Sequence, residues 1–287
     1  MQSLRAACIL FAFLLVTGLL MPWQESAVRL GLARRKSFPH RYHRFLCRLF
    51  GIRVTVVGSP VQGRGVLMAA NHTSYFDILA LSSAARVSFV AKSEVAKWPL
   101  FGTLARLQET VFVERARRAH AADTRDRLRE RLASGDALVL FPEGTSNDGN
   151  RVLAFKSALM GAVEAEIGVD AQGRPRHVPV QPVSIAYVGL HGIPMGREYR
   201  PLFAWYGDMD LVPHLWEAVQ TGPFDVVIEF HAPLSVDEAG DRKALAVAVE
   251  ATVRRGQARA LAGLLVEPPT SMPSTESDEP ALVEAAA

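Results

Sequence analysis

The sequence predicts an α/β domain that follows an apolar helix at the amino terminus. From residue 52 onward, short runs rich in branched and aromatic residues alternate with stretches of helical periodicity, and one long uncharged segment precedes them. Alternating strands and helices are typical of a sheet covered by helices, either as a sandwich or as a wound sheet. The 287 residues suffice for the core of one large domain or two small ones.

The apolar segment runs from Ala6 to Trp23 and carries no charge. Its roughly 18 residues are at the short limit for a helix that crosses a bilayer. A cleaved signal peptide is the alternative, but no small-x-small site directly follows the apolar segment, and Pro22-Trp23-Gln24-Glu25 stands where one is expected. We therefore expect residues 1–24 to form a retained anchor helix, transmembrane or membrane-inserted.

Basic residues dominate the sequence just after the apolar segment. They are Arg29, Arg34, Arg35, Lys36, Arg41, Arg44 and Arg48. Positively charged flanks stay on the cytoplasmic side of a membrane, so we expect the chain from residue 24 onward to be cytoplasmic. The net charge of +3 and the isoelectric point near 9.0 could also suit nucleic acid, but the basic residues cluster beside the anchor. A membrane surface is therefore the predicted partner, and nucleic acid is not.

Residues 25–51 include a predicted basic amphipathic helix. Apolar residues recur there at helical spacing and basic residues take the other side: Phe38, Tyr42, Phe45, Leu46, Leu49 and Phe50 against Arg41, His43, Arg44 and Arg48. Such a helix either lies in a membrane interface, attracted to anionic lipid, or packs its apolar stripe on the core of the domain. Both can hold at once.

The predicted strands and helices define a domain over residues 52–266. The strands span 53–58, 65–70, 87–91, 109–114, 137–141, 177–189 and 225–234, and the longest helices span 123–134 and 241–264. Pro179 and Pro182 interrupt the sixth strand. Since proline has no N–H and is confined to edges and bulges, we expect an edge, a bulge or a pocket wall there. Residues 267–287 are rich in Pro, Ser and Glu, a composition typical of a disordered tail.

A histidine and an aspartate lie five apart in the stretch NHTSYFD, residues 71–77, where a predicted strand gives way to a helix. Neutral imidazole is a natural general base near pH 7. A carboxylate bonded to its other nitrogen fixes the tautomer, so His72 and Asp77 are candidate catalytic residues. The same spacing is common by chance in loops. No further ligand stands at zinc-like spacing, and Cys8 and Cys47 form neither a metal motif nor a disulfide framework, so no metal is expected.

Two further segments could bind a polar substrate. FPEGTS, residues 141–146, follows a predicted strand; Gly144 would allow close backbone approach, and Glu143 and Thr145 would supply polar groups. The alternative is an ordinary turn with a solvated Glu143. VFVER, residues 111–115, ends in an arginine that could bind a phosphate or carboxylate, or could form a surface ion pair with Glu114.

Taken together, these segments resemble the boxes of the glycerolipid acyltransferase family, whose best-known members acylate 1-acylglycerol-3-phosphate. NHTSYFD is similar to the His-x4-Asp box, VFVER to the box ending in arginine, FPEGTS to the Pro-Glu-Gly box, VPVQPV (residues 178–183) to the proline-containing fourth box, and residues 98–102 to a Pro-x-x-Gly segment. The resemblance covers about residues 40–190. It implies an α/β fold with a mixed sheet flanked by helices and a membrane-anchoring helix at the amino terminus.

The resemblance also implies a reaction: an acyl group passes from a thioester of acyl carrier protein or coenzyme A to a hydroxyl of a lyso-lipid, with no cofactor. His72 would take the hydroxyl proton while Asp77 orients the ring, and no covalent intermediate is required. The sequence agrees, since it has no Gly-x-Ser-x-Gly motif. Arg115 would bind a phosphate of the acceptor. Glu143, Gly144 and Thr145 would position its head group, Lys156 would contact substrate, and Asn71 could stabilise the oxyanion. Phe155-Lys156-Ser157-Ala158 departs from the family's Phe-Lys-x-Gly, which puts the geometry at Lys156 in doubt.

Two acceptors remain open at this point. The family favours 1-acylglycerol-3-phosphate, which gives phosphatidic acid. Residues 204–216 resemble bacterial relatives that acylate lyso-ornithine lipid, and there Asp208 and Asp210 could pair with an ornithine ammonium but would repel a phosphate. The predicted location is the cytoplasmic membrane of a bacterium. A membrane-anchored lipid-binding protein without turnover is the non-enzyme alternative, and a lipid hydrolase would lack an evident nucleophile.

Overall fold

A mixed eight-stranded sheet forms the centre of the molecule in the computed structural model, which describes residues 1–114, 121–164, 166–169, 173 and 175–264. Its strands are β1 (Ile52–Gly58), β2 (Val66–Ala70), β3 (Ser88–Lys92), β4 (Val111–Val113), β5 (Ala137–Leu140), β8 (Val180–Leu190), β9 (Ile193–Pro194) and β10 (Phe224–Phe230). A separate pair consists of β6 (Glu166–Val169) and β7 (Pro175–His177).

The strand order is β1-β10-β8-β2-β5-β3-β4, with β9 paired to β8. Strands β8, β2, β5, β3 and β4 run parallel to one another, whereas β10 and β1 run in the opposite direction. Because the carboxyl ends of parallel strands meet at one edge of a sheet, the loops that follow the neighbouring strands β2 and β5 emerge side by side. These two loops carry NHTSYFD and FPEGTS.

Helices cover both faces of the sheet. They are α1 (Gln2–Arg29), α2 (Arg34–Phe50), α3 (Phe76–Ala84), α4 (Phe101–Leu107), α5 (Ala121–Ala133), α6 (Leu211–Thr221), α7 (Val236–Ala239) and α8 (Arg242–Leu261), with 3-10 turns at Ser93–Lys97, Ser157–Glu164 and Arg200–Leu202. Val66, Met68 and Ala70 of β2 join the core on the α1–α3 side, and Leu67 and Ala69 join the core on the α5 and α8 side. Burial on both faces explains why this strand is apolar at every position.

The first five predicted strands are confirmed with shifts of one or two residues, whereas the sixth begins three residues later and the seventh ends four residues earlier than predicted. The edge location expected for the sixth strand was wrong. Strand β8 lies in the middle of the sheet, between β10 and β2, and Pro182 lies inside it. The position tolerates proline because the ladder with β10 stops at Val183. The next residue beyond β10, His231, donates its N–H to the Pro182 carbonyl over 3.0 Å, so Pro182 is used as an acceptor and not as a donor.

Helix α1 lies lengthwise on the domain. Near its start, Arg5 donates to the Val219 carbonyl in α6 over 2.8 Å. Near its end, the Gln24 amide donates to the carbonyls of Arg35 and Leu107, each at 2.9 Å. A helix of 28 residues is about 42 Å long, so contacts at both ends fix it across one face. Its outer side exposes large apolar residues: Leu4, Phe11, Leu14, Leu15, Leu19 and Trp23.

Among the described residues, α1 is the one helix with the length and apolar composition to cross a membrane. The next helix, α2, packs its apolar stripe on the core, which is one of the two alternatives stated for it: Leu46, Cys47 and Phe50 are buried while Arg41, Arg44 and Arg48 face outward. The membrane-interface alternative stays a prediction. His43 was expected on the basic side but is buried, with its Nδ1 2.8 Å from the Pro39 carbonyl. Burial lowers the pKa of His43 to about 4. The expected tail, 267–287, lies outside the described residues.

Candidate active site

The loop after β2 brings His72 and Asp77 together. Helix α3 begins at Phe76, so Asp77 is in its first turn, and its Oδ2 accepts hydrogen bonds from the N–H groups of Thr73 (2.7 Å) and Ser74 (3.0 Å). This tight turn folds the chain back so that His72 Nδ1 lies 2.8 Å from the same oxygen. The five-residue spacing therefore produces a hydrogen-bonded pair.

The pair is asymmetric in its exposure. The Asp77 side chain is fully buried, whereas 21% of the His72 side chain is exposed. Because the carboxylate accepts at Nδ1, that nitrogen carries the hydrogen and Nε2 is left with a lone pair. The imidazole ring stacks on Phe141, with the ring centroids 4.0 Å apart and the planes 15° from parallel. The ring is thus fixed on one side and open to a reactant at Nε2.

Asp77 has a further donor that sequence reasoning missed. The Tyr187 hydroxyl, on β8, donates to Asp77 Oδ1 over 2.8 Å. The spacing of Tyr187 from Asp77 along the chain gives no signal for this contact. The alternation of residues along β8 could have found it, since Val183, Ile185 and Tyr187 share the face that packs toward α3.

The loop after β5 holds the loop after β2 through Glu143. This carboxyl group is 1% exposed; it accepts from the backbone N–H of His72 over 3.1 Å and from the Asn147 amide over 2.8 Å. Burial raises the pKa of Glu143 to about 8, although these hydrogen bonds act in the opposite direction. Glu143 thus supports the backbone of the histidine from below.

Two other residues of FPEGTS have different surroundings. Gly144 has a φ of +74°, a conformation that residues with a Cβ adopt only at a cost. Thr145 is exposed, and its hydroxyl donates to the Ser146 carbonyl over 3.3 Å. Thr145 is therefore an exposed polar side chain of this segment, as its expected role requires.

An apolar cavity of about 180 Å³ opens beside this site. Its walls come from five helices (α1, α2, α3, α4 and α6), from β3 and from the segment before α4, and include Phe13, Leu20, Phe38, Leu46, Leu79, Phe89, Trp98, Leu104, Ala105 and Leu215. Phe89 lies between the cavity and His72. Its ring stacks on Phe141 with centroids 6.3 Å apart, and Phe141 in turn stacks on His72. A long apolar chain can therefore lie close to His72.

Comparisons with known proteins agree with this geometry. A family model described as Acyltransferase matches residues 53–186. A lyso-ornithine lipid O-acyltransferase of Brucella abortus is 44% identical over 91% of this chain and 97% of its own length.

The chain belongs to the glycerolipid acyltransferase family.

Other members show similarity as well. A 1-acyl-sn-glycerol-3-phosphate acyltransferase of Neisseria gonorrhoeae is 31% identical over 68% of this chain and 71% of its own length. A crystal structure of the 1-acyl-sn-glycerophosphate acyltransferase from Thermotoga maritima superposes with a TM-score of 0.62 at 25% identity, covering 91% of this chain and 98% of that one. The protein is an acyltransferase of lysolipids, with the mixed sheet that its family resemblance predicted.

Asn71 has a structural position in this acyltransferase. Its amide nitrogen donates to the Ile185 carbonyl over 2.9 Å and its amide oxygen accepts from the Ile185 N–H over 2.8 Å. The side chain is fully buried between β2 and β8. Because both polar atoms of this amide are bonded to Ile185, we do not assign Asn71 the oxyanion role that was expected for it.

Lys156 and Arg115 are the remaining predicted substrate contacts of the acyltransferase. The Lys156 N–H donates to the Pro142 carbonyl over 2.9 Å, which places the lysine next to the Pro-Glu-Gly turn with its side chain exposed. Arg115 lies outside the described residues. Within the described parts of the chain, no group of three His, Cys, Asp or Glu residues could hold a metal ion.

The segment from Phe203 to Asp210 is hydrogen-bonded to the loop after β2 and to the loop after β5. The Trp205 N–H donates to the Thr73 carbonyl over 3.0 Å, and the Ser146 hydroxyl donates to the Trp205 carbonyl over 2.5 Å. Asp208 and Asp210 follow immediately and are exposed. Two carboxylates therefore stand on a segment that is attached to the loop of His72 and to FPEGTS.

Proposed function

We propose that this acyltransferase is a lyso-ornithine lipid O-acyltransferase that makes ornithine lipid. The observation that carries the proposal is the 44% identity to the Brucella abortus enzyme over nearly the full length of both chains. The similarity to a phosphate-acceptor enzyme is lower, 31%, and shorter. The proposal reverses the preference for 1-acylglycerol-3-phosphate that the family boxes gave.

The proposed reaction starts at the open nitrogen of His72. The acceptor hydroxyl oxygen attacks the thioester carbonyl carbon while its proton moves to Nε2, and Asp77 stabilises the imidazolium that forms. The tetrahedral intermediate then breaks its C–S bond, and the imidazolium returns the proton to the departing sulfur. The donor is an acyl thioester of acyl carrier protein or coenzyme A. Because the thioester is already activated, positioning of both substrates is most of the catalytic task.

The apolar cavity is the proposed location of a fatty chain during the reaction. Its walls are almost entirely apolar, and it reaches the stack of Phe89, Phe141 and His72. Burying a chain contributes about 0.8 kcal/mol per methylene group. Chain burial there can therefore supply much of the binding free energy while the reacting end stays near His72.

The two exposed carboxylates are the proposed contact for the acceptor's head group. Asp208 and Asp210 would attract the ammonium of ornithine and repel a phosphate. Their segment is hydrogen-bonded to the loop of His72 through Trp205 and Thr73. A second candidate acceptor, 1-acylglycerol-3-phosphate, is supported by the Thermotoga maritima structure and by the arginine-ending box at Arg115.

Attachment to the membrane is proposed to occur through α1 and α2, with the catalytic domain on the cytoplasmic side. Contacts at both ends of α1 support insertion into one side of the bilayer parallel to the domain surface, and not a helix that leaves the domain to cross. The outer apolar residues of α1 would then lie among the acyl chains. The arginines on the outer side of α2 would face anionic head groups.

The test uses the full chain purified in detergent, an acyl-carrier-protein thioester, and either lyso-ornithine lipid or 1-acylglycerol-3-phosphate as acceptor. We expect diacylated product from lyso-ornithine lipid. Mass spectrometry of the product decides between the acceptors, and product from the phosphate acceptor alone would overturn the assignment. His72→Ala should lower the rate by on the order of 1,000-fold. Retained transfer in that variant would exclude the general-base role.

A pair of substitutions that removes both negative charges tests the head-group contact. Asp208→Asn with Asp210→Asn should raise the KM for lyso-ornithine lipid roughly 3- to 10-fold, the range for two exposed ion pairs, and leave kcat nearly constant. Asp237→Asn is the matched control, since that carboxylate is exposed but pairs with His177. An unchanged KM in the double variant would remove these residues from acceptor recognition.

A further inference from the structure

Strand β8 extends beneath the catalytic loop. It has 11 residues and its neighbour β2 has five. The parallel register ends at Ala70 opposite Val183, so Ile185 and Tyr187 continue past the end of β2. Ile185 is bonded to Asn71 through both backbone polar groups. The next residue on the same face, Tyr187, therefore lies under the turn that contains His72 and Asp77.

Tyr187 is held in place from two sides. Its side chain is 1% exposed, and its ring stacks on Phe224 with the centroids 5.6 Å apart and the planes 14° from parallel. Its hydroxyl lies 2.8 Å from Asp77 Oδ1. A buried ring packed in this way has one position for its hydroxyl, so the position of the oxygen beneath Asp77 is set by the sheet.

The donors to Asp77 divide unequally between its two oxygens. His72 Nδ1 and the N–H groups of Thr73 and Ser74 all lie within 3.0 Å of Oδ2. On Oδ1, Tyr187 is the one side-chain donor within the described part of the chain. Without it, a fully buried carboxylate oxygen would have no such partner, and the plane of the carboxylate would be set by the donors to Oδ2 alone.

We propose that Tyr187 is a positioning residue that fixes the plane of the Asp77 carboxylate and withdraws electron density from it, thereby setting the protonation behaviour of His72. The inference rests on the proposed general-base role of His72. Through Tyr187, which lies outside the family boxes, strand β8 would control the pH range in which the enzyme works.

Other titratable groups that face the pair come from two elements. Tyr75 precedes α3, and Glu143 belongs to the loop after β5. Burial raises the pKa values of Tyr75 and Tyr187 well above that of an exposed tyrosine, so both hydroxyls stay protonated while the enzyme works. Burial raises the pKa of Glu143 to about 8. Repeating the measurement in a Glu143→Gln background removes this group from the profile of the His72 pair.

Tyr187→Phe is the direct test, read from the pH dependence of the rate. Removing the hydroxyl leaves more charge on the carboxylate and favours the imidazolium, so the acid limb of the kcat/KM profile should move to higher pH. We expect kcat at the optimum to fall roughly tenfold, as for loss of one hydrogen bond to a charged group, with both KM values within about twofold. A lower rate with an unmoved acid limb would mean that Tyr187 only supports packing, and would overturn the inference.

Ser184→Ala is the matched control. It removes a buried hydroxyl from the opposite face of the same strand, where Ser184 lies 2.6 Å from His231 Nε2 and 3.0 Å from the Val253 carbonyl. It should lower the melting temperature without moving the acid limb. A shift of the limb equal to that of Tyr187→Phe would assign the effect to general loosening of β8.

A readout that needs no turnover separates failure of this inference from failure of the proposed function. The imidazole resonances of His72, assigned by comparison with His72→Gln, are titrated by NMR in the wild-type protein and in Tyr187→Phe. The midpoint should rise in the variant, even if neither acceptor is a substrate. An unchanged midpoint would overturn the inference, whereas product formation in the separate acceptor assay tests the function alone.

Discussion

The two faces of the sheet differ in how completely they are packed. On the face covered by α1, α2, α3 and α4, the helices leave an apolar cavity of about 180 Å³. On the face covered by α8, a Cβ added at Gly256 would lie 2.2 Å from Ser184 Oγ and 2.6 Å from His231 Nε2. Protein interiors are close-packed by default. The cavity is thus a local exception, and it lies beside His72.

The largest expected stability effect is on the closed face. Gly256→Ala places a methyl group where Ser184 and His231 now form a hydrogen bond of 2.6 Å. Alanine favours a helix over glycine by about 1 kcal/mol, but overpacking costs about 1–3 kcal/mol, and loss of the bond adds to it. We expect the melting temperature to fall, by about 2–4 °C per kcal/mol. A variant as stable as the wild type would show that the space between Gly256 and strand β8 accommodates a methyl group.

The pH dependence of stability tests the burial of Glu143, which lies at the edge of the sheet where the two faces meet. Glu143 has a folded-state pKa of about 8, raised from 4.5 by burial. The protonated carboxyl group favours the folded state, and this contribution to the free energy of unfolding is complete below pH 4.5. It is lost as the pH rises toward 8, by at most about 1.4 kcal/mol per pH unit for one proton. Urea unfolding at pH 5 and pH 8 should show this decline. In Glu143→Gln the decline should be smaller, and an identical slope would contradict the assignment.

A substitution on the open face should change selectivity more than stability. Ala105→Leu extends a side chain into the cavity. Since empty volume receives it, we expect a change in melting temperature smaller than for Gly256→Ala. The ratio of rates for long and short chains should fall about tenfold, equivalent to about 1.4 kcal/mol. Separate series of donors and acceptors identify which chain is affected, and an unchanged ratio in both would mean that no chain occupies the cavity.

The smallest effect is expected at the membrane surface. Replacing Arg41, Arg44 and Arg48 of α2 by Gln should weaken binding to anionic vesicles by about 1 kcal/mol per residue at most. Replacing three exposed basic residues of α8, Lys243, Arg254 and Arg255, by Gln is the matched control. Vesicle flotation at low and high salt measures both. Equal losses in the two sets would mean that neither face is preferred by the membrane.

Local patterns predicted the parts of the molecule that depend on neighbours in sequence. The strand boundaries and the His72–Asp77 pair follow from apolar runs and from a turn that closes within five residues. Pro182 and His43 were assigned wrongly because their surroundings come from distant segments, namely the end of the β10 ladder and the packing around α2. Tyr187 was missed for the same reason, since its contact with Asp77 spans 110 positions.

The sequence analysis predicted that Glu143 contacts substrate or lies solvated in a turn, and it did not predict that the carboxyl group is buried. Burial beneath the backbone of His72 depends on how the loops after β2 and β5 meet, which no local pattern records. Asn71 is a comparable case, because an amide next to a catalytic histidine suggests catalysis, whereas its two bonds to Ile185 hold the sheet together. Arg115, the predicted phosphate contact, stays a prediction.

Helix α1 contributes to the cavity wall as well as to the apolar outer surface. Phe13, Thr17 and Gln24 face inward, and Leu4, Phe11 and Leu19 face outward, along the same helix. Deleting this helix to obtain a water-soluble enzyme would therefore open the cavity and remove one of its walls. During evolution, the outward positions can exchange among apolar residues as long as they suit lipid. If a fatty chain occupies the cavity as proposed, the inward positions can change only together with the chains that the enzyme accepts, so a change in the accepted chain should leave its substitutions on the inward stripe.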